Sequence, residues 1–129
     1  MIVAIEGDLG SGKTTLVRGV LRAVGVEGPV KSPTYTIVEH YAVSSLYFYH
    51  FDFYRFMSPH EWDSAGVSES FRHDAVCLVE WPERVAGVLP APDIRLSLSY
   101  SPRAGRDLHA EAFTPAGTRC VSALAAAMS

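Results

Sequence analysis

The chain has 129 residues, 48% of them hydrophobic, and a formal net charge of −3 from 11 basic and 14 acidic side chains. That length suits one sizeable core and leaves no room for a second domain. The acidic balance, with no basic run, argues against a direct grip on nucleic-acid phosphates; no apolar run approaches a membrane span, and the start does not read as a secretory leader.

Residues 1–6 are apolar and β-branched enough for a buried strand, and beyond Thr14 the spacing of Leu16, Val17, Val20, Leu21 and Val24 is helical. Between them, residues 7–14 read Gly-Asp-Leu-Gly-Ser-Gly-Lys-Thr, a complete G-x-x-x-x-G-K-[ST] phosphate-binding loop in the strand–loop–helix setting it requires. Gly25, Gly28 and Pro29 end the helix and open a loop. Residues 36–43 read as a strand, Ser44 and Ser45 as a turn, and residues 46–54 as a strongly β-prone run. Ser58 and Pro59 open a short helix through about Ala65, with Ser58 as N-cap and Pro59 in the first helical position. Residues 68–73 suggest another helical turn. Residues 75–81 form a second clean buried strand, and residues 82–88 a short helix closed by Pro90 and Pro92. Residues 94–100 alternate, so one face of that strand is solvated. Residues 103–106 make a hairpin-like turn before a strand at 107–113, and residues 115–118 lead into a final helix. Cys77 and Cys120 have no C-x-x-C spacing and read as reduced core thiols of a cytosolic protein. The early strand–loop–helix unit predicts an α/β fold, and the alternating later strands add antiparallel pairing.

The loop names a chemistry. Its glycines, among them Gly10 and Gly12, let backbone N–H groups turn inward around a phosphate chain. Asp8, Leu9 and Ser11 fill the rest of that cradle, and the helix adds orphan N–H groups and its positive dipole end. Lys13 is placed to reach the β- and γ-phosphates, Thr14 to take one site of an octahedral Mg²⁺, and Thr15 to bond the α-phosphate. Hydrolysis of ATP also needs a carboxylate at a strand end beside the loop. Asp52 and Glu80 each follow an apolar run and meet that need as candidate catalytic acids or metal ligands. In residues 31–36, Pro33 stiffens the chain, while Thr34 and Thr36 offer hydroxyls suited to sensing a γ-phosphate or metal, against the plainer reading of a polar turn. Trp81 either shields the site or fills the core. His50 reads as a packed strand residue rather than a base, and Arg55 as a surface residue or a phosphate ligand.

Taken together, the phosphate loop, then Lys31-Ser-Pro-Thr-Tyr-Thr36 with Val38-Glu39, then His50-Phe-Asp-Phe-Tyr-Arg55, then Val79-Glu-Trp81 form an order that resembles the TsaE (YjeE) family. These are small bacterial ATPases of tRNA threonylcarbamoyladenosine (t6A) biosynthesis, and the resemblance runs through nearly the whole chain. It implies a P-loop NTPase-like three-layer fold, with a mixed sheet flanked by helices, in a single ATPase domain over residues 1–129. It implies ATP or ADP with Mg²⁺ as cofactors and TsaB and TsaD as partners, in the cytoplasm. Residue by residue it implies Lys13, Thr14 and Thr15 on the phosphates, Thr34 and Thr36 in a switch-like segment, and Asp52 and Glu80 associated with Mg²⁺ and hydrolysis. Trp81 is the aromatic neighbour. Family members usually carry a further helix and strand ahead of the loop's strand; here Met1 opens that strand, which implies either a start that lies upstream or a shortened form. Phe53 stands where an aliphatic residue is commoner.

Three other readings compete. A small-molecule kinase would need an acceptor pocket and an arginine-rich lid, and residues 103–106 are too short for one. A GTPase would show an N-K-x-D motif, which the chain lacks. A non-catalytic module, in which bound nucleotide only sets affinity for a partner, shares every motif of the ATPase reading.

Overall fold

Strand β1 (Ile2–Gly7) lies inside the sheet because its residues are apolar on both faces. It pairs in parallel with β4 (Ala75–Glu80) on one side and with β5 (Ile94–Tyr100) on the other. β3 (Leu46–Asp52) pairs in parallel with β4, so four inner strands run the same way. β2 (Val38–Val43) and β6 (Arg106–Ala112) close the edges as antiparallel hairpin partners of β3 and β5, giving the order β2-β3-β4-β1-β5-β6. The computed structural model describes residues 1–72 and 74–128.

Side-chain alternation along the inner strands feeds two apolar layers. On one face Val3, Ile5, Phe48, Leu78 and Ile94 pack with Val17 and Leu21 of α1 (Lys13–Ala23) and with Val121 of α3 (Pro115–Met128). On the other, Phe51, Ala75, Cys77 and Val79 pack with Phe53, Phe56, Val67, Val85 and Trp62, the last from α2 (Glu61–Ala65). Stacked rings dominate this second layer: Phe51 and Phe53 are 5.5 Å apart, and Phe51 and Phe71 4.8 Å. The result is a mixed sheet flanked by helices, the three-layer α/β architecture expected from the sequence. Because the inner strands are parallel, their carboxyl ends share one edge, where ligands of open α/β sheets bind.

Several local expectations shift. The helix expected from Ser58 begins at Glu61, with His60 at its N-cap. The cause is local: Glu61 Oε2 accepts the N–H groups of Met57 and Ser58, at 2.5 and 3.0 Å, and holds those residues in a turn outside the helix. Residues 68–73 contribute a 3-10 turn at Ser68–Ser70, and His73 lies outside the described residues. The short helix after Trp81 is a 3-10 turn, Pro82–Val85. The last helix starts at Pro115 rather than beyond it, because Thr114 Oγ1 accepts the Gly117 N–H at 3.0 Å and serves as a cap. Gly117 itself lies against β5: a Cβ there would sit 2.1 Å from the Asp93 carbonyl oxygen. Cys77 is a core thiol, but Cys120 is exposed, which corrects its expected core position. It borders, with Val121 and Leu124, an apolar hollow between α3 and the sheet that is open to solvent.

Candidate functional site

The phosphate loop runs from Gly7 into α1 at the carboxyl edge of the sheet. Gly12 is the N-cap residue of α1 with φ 106°, a left-handed conformation that an L side chain would resist. No side chain caps that end, and Leu16 makes the first helical bond, to the Gly12 carbonyl at 2.9 Å. The N–H groups of the first turn are therefore unclaimed by protein side chains, the arrangement that receives anions.

Lys13 is buried, at 5% exposure, and its ammonium donates to the Gly7 and Asp8 carbonyls, the latter at 3.1 Å. Nζ also lies 4.0 Å from the centroid of the Trp81 ring. Burial lowers the Lys13 pKa below the ordinary lysine value, opposed by the negative charge of Glu80, Glu83, Asp52 and Asp8. Trp81 ends β4 by taking φ 58°, which turns its ring under the loop, where Tyr54 packs against it at 4.9 Å.

Asp52 and Glu80 are the last residues of β3 and β4, and the parallel register sets them side by side. Both are buried, at 7% and 2% exposure. The Thr14 hydroxyl donates to the Glu80 carboxylate, 3.0 Å from each oxygen. Asp52 Oδ1 accepts the Tyr54 N–H at 2.9 Å. Burial raises the Asp52 pKa above the usual carboxylate value; Tyr54 opposes the shift, Glu80 adds to it, and His50 and Lys13 oppose it.

These groups line one cavity of about 350 Å³, together with Leu9, Gly10, Gly12, Thr15, Thr34 and Trp81. Thr36 lies outside that lining; its hydroxyl donates to Glu39 at 3.1 Å. Thr34 shares a hydrogen bond with Ser32 at 2.7 Å. The segment ends at Ile37, whose φ of 73° is strained for a β-branched residue, and whose N–H and C=O are tied to Pro33 and Asp52. Ser11 is buried, and its hydroxyl, which lies toward Gly7, has no partner among the described residues; the residue borders a second, more open hollow of about 630 Å³ beside α1.

Three residues emerge that sequence reasoning did not place in the site. His50 Nε2 is 2.5 Å from Glu80 Oε2. The available signal was a lone polar residue in an aromatic strand, two positions before Asp52 and so on its face. Tyr100 and Arg106, from the β5–β6 hairpin, donate to the carbonyls of Gly10 and Ser11 at 3.0 and 2.9 Å and brace the loop from the other side. Nothing local announces contacts across some ninety residues of sequence.

A glycine-rich loop between the first strand and first helix, a lysine and threonine at its end, and a mixed, largely parallel sheet beneath it define a P-loop-like α/β protein. Comparison with known proteins narrows this. The profile of the family described as "Threonylcarbamoyl adenosine biosynthesis protein TsaE" matches residues 1–108. A "tRNA threonylcarbamoyladenosine biosynthesis protein TsaE" of Haemophilus influenzae is 44% identical over 123 residues, spanning 95% of this chain and 77% of that one. Its namesake in Bacillus subtilis is 37% identical over 118 residues, spanning 92% of this chain and 72% of that one. The crystal structure titled "Bacillus subtilus YdiB" superposes with a TM-score of 0.80 and 27% identity, covering 99% of this chain and 78% of that one. The chain belongs to the TsaE family.

Proposed function

We propose that the protein binds ATP with Mg²⁺ at the loop and hydrolyses it in support of tRNA t6A biosynthesis, acting with TsaB and TsaD in the cytoplasm. The observation that carries this reading is the convergence of Lys13, Thr14, Thr15, Asp52, Glu80 and Trp81 on one cavity at the carboxyl edge of the sheet. Among the described residues no helix is long and apolar enough to cross a membrane.

In this reading the backbone from Asp8 to Gly12 and the first turn of α1 cradle the phosphates. Lys13 leaves the loop carbonyls for the β- and γ-phosphates, and Thr15 takes the α-phosphate. Thr14, Asp52 and Glu80 offer hard oxygen donors, the set that suits Mg²⁺ shared with phosphate oxygens. When bound, the ion supplies charge neutralisation on the transferring phosphoryl group. Glu80 and Asp52 orient the attacking water, and Trp81 screens the cavity. Thr34, which lines the cavity, responds to the γ-phosphate, and Thr36 ties the end of the same segment to Glu39, so residues 31–36 present one surface with ATP and another after hydrolysis. Tyr35 is 79% exposed in that segment, beneath the Arg55 guanidinium at 4.2 Å, a suitable partner contact. With a net charge of −3, the protein is not expected to hold tRNA tightly by itself.

The test is phosphate release from Mg-ATP by the protein alone and with TsaB–TsaD, alongside capture of TsaB–TsaD in ATP, ADP and no nucleotide. Turnover stimulated by the partners, with ATP-dependent capture, is expected. ATP-dependent capture without turnover would replace the ATPase reading by that of a nucleotide-gated interaction module. Equal capture in all three states would overturn the switch.

A further inference from the structure

His50 is 1% exposed, among the most buried polar side chains of the chain. It lies on β3 opposite Leu78, and Asp52 lies opposite Glu80, so the His50 and Glu80 side chains emerge diagonally from neighbouring strands on the α1 face. Its Nε2 reaches Glu80 Oε2 at 2.5 Å, and its Nδ1 is buried with no partner among the described residues. Burying an imidazole with one nitrogen unpaired is unfavourable, and an aromatic or aliphatic residue would fill the space without that penalty. The strand around it does use such residues, at Phe48 and Phe51.

Of the two neutral tautomers, one carries its proton on Nε2 and donates to the carboxylate, leaving only a lone pair unpaired at Nδ1. The other would set two acceptors against each other at hydrogen-bond distance. The geometry therefore selects the Nε2–H form.

We propose that His50 is the positioning residue for Glu80, clamping one carboxylate oxygen so that the other faces the nucleotide cavity. The inference rests on the ATPase reading above and extends it. Among the described residues the Glu80 carboxylate is hydrogen-bonded by Thr14 and His50. In that reading the Thr14 hydroxyl would offer a lone pair to the metal while its O–H still donates to Glu80. His50 is the contact that comes from a sheet strand and has no part in binding nucleotide or metal, so it holds the acid in the same way with the site empty or filled. A flexible glutamate kept to one orientation needs no rearrangement when the water is activated.

The experiment compares wild type with His50→Leu and His50→Gln, the amide nitrogen of glutamine standing close to the position of Nε2. Turnover is measured with TsaB–TsaD, Mg-ADP affinity by calorimetry, and melting temperature by calorimetric scan. His50→Leu should bind Mg-ADP as wild type does, keep KM, and lose at least tenfold in kcat. It should remain folded at the assay temperature, removal of an unpaired buried nitrogen offsetting part of the lost Nε2–H bond to Glu80. His50→Gln should regain part of the lost kcat. In wild type, ¹⁵N spectra should show a pyrrole-type Nε2 and a pyridine-type Nδ1. An unchanged kcat in His50→Leu, or the opposite tautomer, overturns the positioning role and leaves the ATPase reading intact. Loss of the folded state in both variants makes His50 structural and also overturns it. Absence of turnover in wild type with partners present overturns both readings together.

Discussion

The ammonium of Lys13 sits over the indole of Trp81, 4.0 Å from the ring centroid, at the mouth of the phosphate loop. The contact joins α1 to the residue that terminates β4, and it places an aromatic reporter at the group most directly addressed by a phosphate. The chain has one other tryptophan, Trp62, which is 6% exposed inside the apolar layer whose border Trp81 forms, and which does not line the cavity.

Nucleotide binding should therefore change the fluorescence of Trp81 and not that of Trp62. Titration of Mg-ADP is expected to alter emission in wild type and in Trp62→Phe, and to leave Trp81→Phe silent. The same titration of Lys13→Ala should show no tight binding. A full signal in Trp81→Phe would remove Trp81 from the site.

Glu80→Gln keeps the shape of the side chain and one oxygen near Thr14 while removing the charge. Nucleotide affinity should persist and turnover with partners should fall by about 10²-fold, near 3 kcal/mol on the barrier scale. Single-turnover phosphate release measures the step; a wild-type rate would withdraw Glu80 from the chemistry.

Asp52 carries a stability cost with a definite pH sign. Burial raises its pKa, so the folded protein binds that proton more tightly than the unfolded chain does. The cost of the ionised form is absent at pH below the ordinary value of 3.8, grows as pH rises through the interval up to the raised folded value, and is complete above it. Asp52→Asn preserves an oxygen for the Tyr54 N–H. Without nucleotide it should melt above wild type at neutral pH, with the difference closing in acid. A lower melting temperature at pH 7 would contradict this account.

The two cysteines should separate cleanly. Cys77 is buried, its thiol donates to the Ser70 carbonyl at 3.4 Å, and desolvation raises its pKa to about 11. Cys120 is exposed. A thiol reagent at pH 8 should modify Cys120 in the native protein and both cysteines in denaturant. Rapid native modification of Cys77 would mean that this layer opens readily.

Gly117→Ala should destabilise the docking of α3 on the sheet. The added methyl would meet the Asp93 carbonyl at 2.1 Å, and because that obstacle is backbone it cannot swing aside as a side chain could. Overpacking of this kind costs about 1–3 kcal/mol, readable as a lower urea midpoint. A neutral result would indicate that α3 shifts freely.

What the sequence determined by itself was local or periodic. The phosphate loop, β1, the apolar run of β4, the alternating β5 and the two strand-end acids depend on neighbours within a turn or a strand, where backbone sterics and side-chain alternation act directly. The extent of α2 was less legible, because the Glu61 carboxylate claims backbone donors that a helix start at Ser58 would have used differently. Only the tertiary structure decided that Asp52 lies beside Glu80, that His50 reaches across to that carboxylate, and that Tyr100 and Arg106 brace the loop. It also set Thr34 in the cavity and Thr36 on Glu39, although the two are two residues apart. Such contacts follow from strand register and from which groups lose water together. Both depend on how distant segments pair, and no short stretch of the chain contains that information.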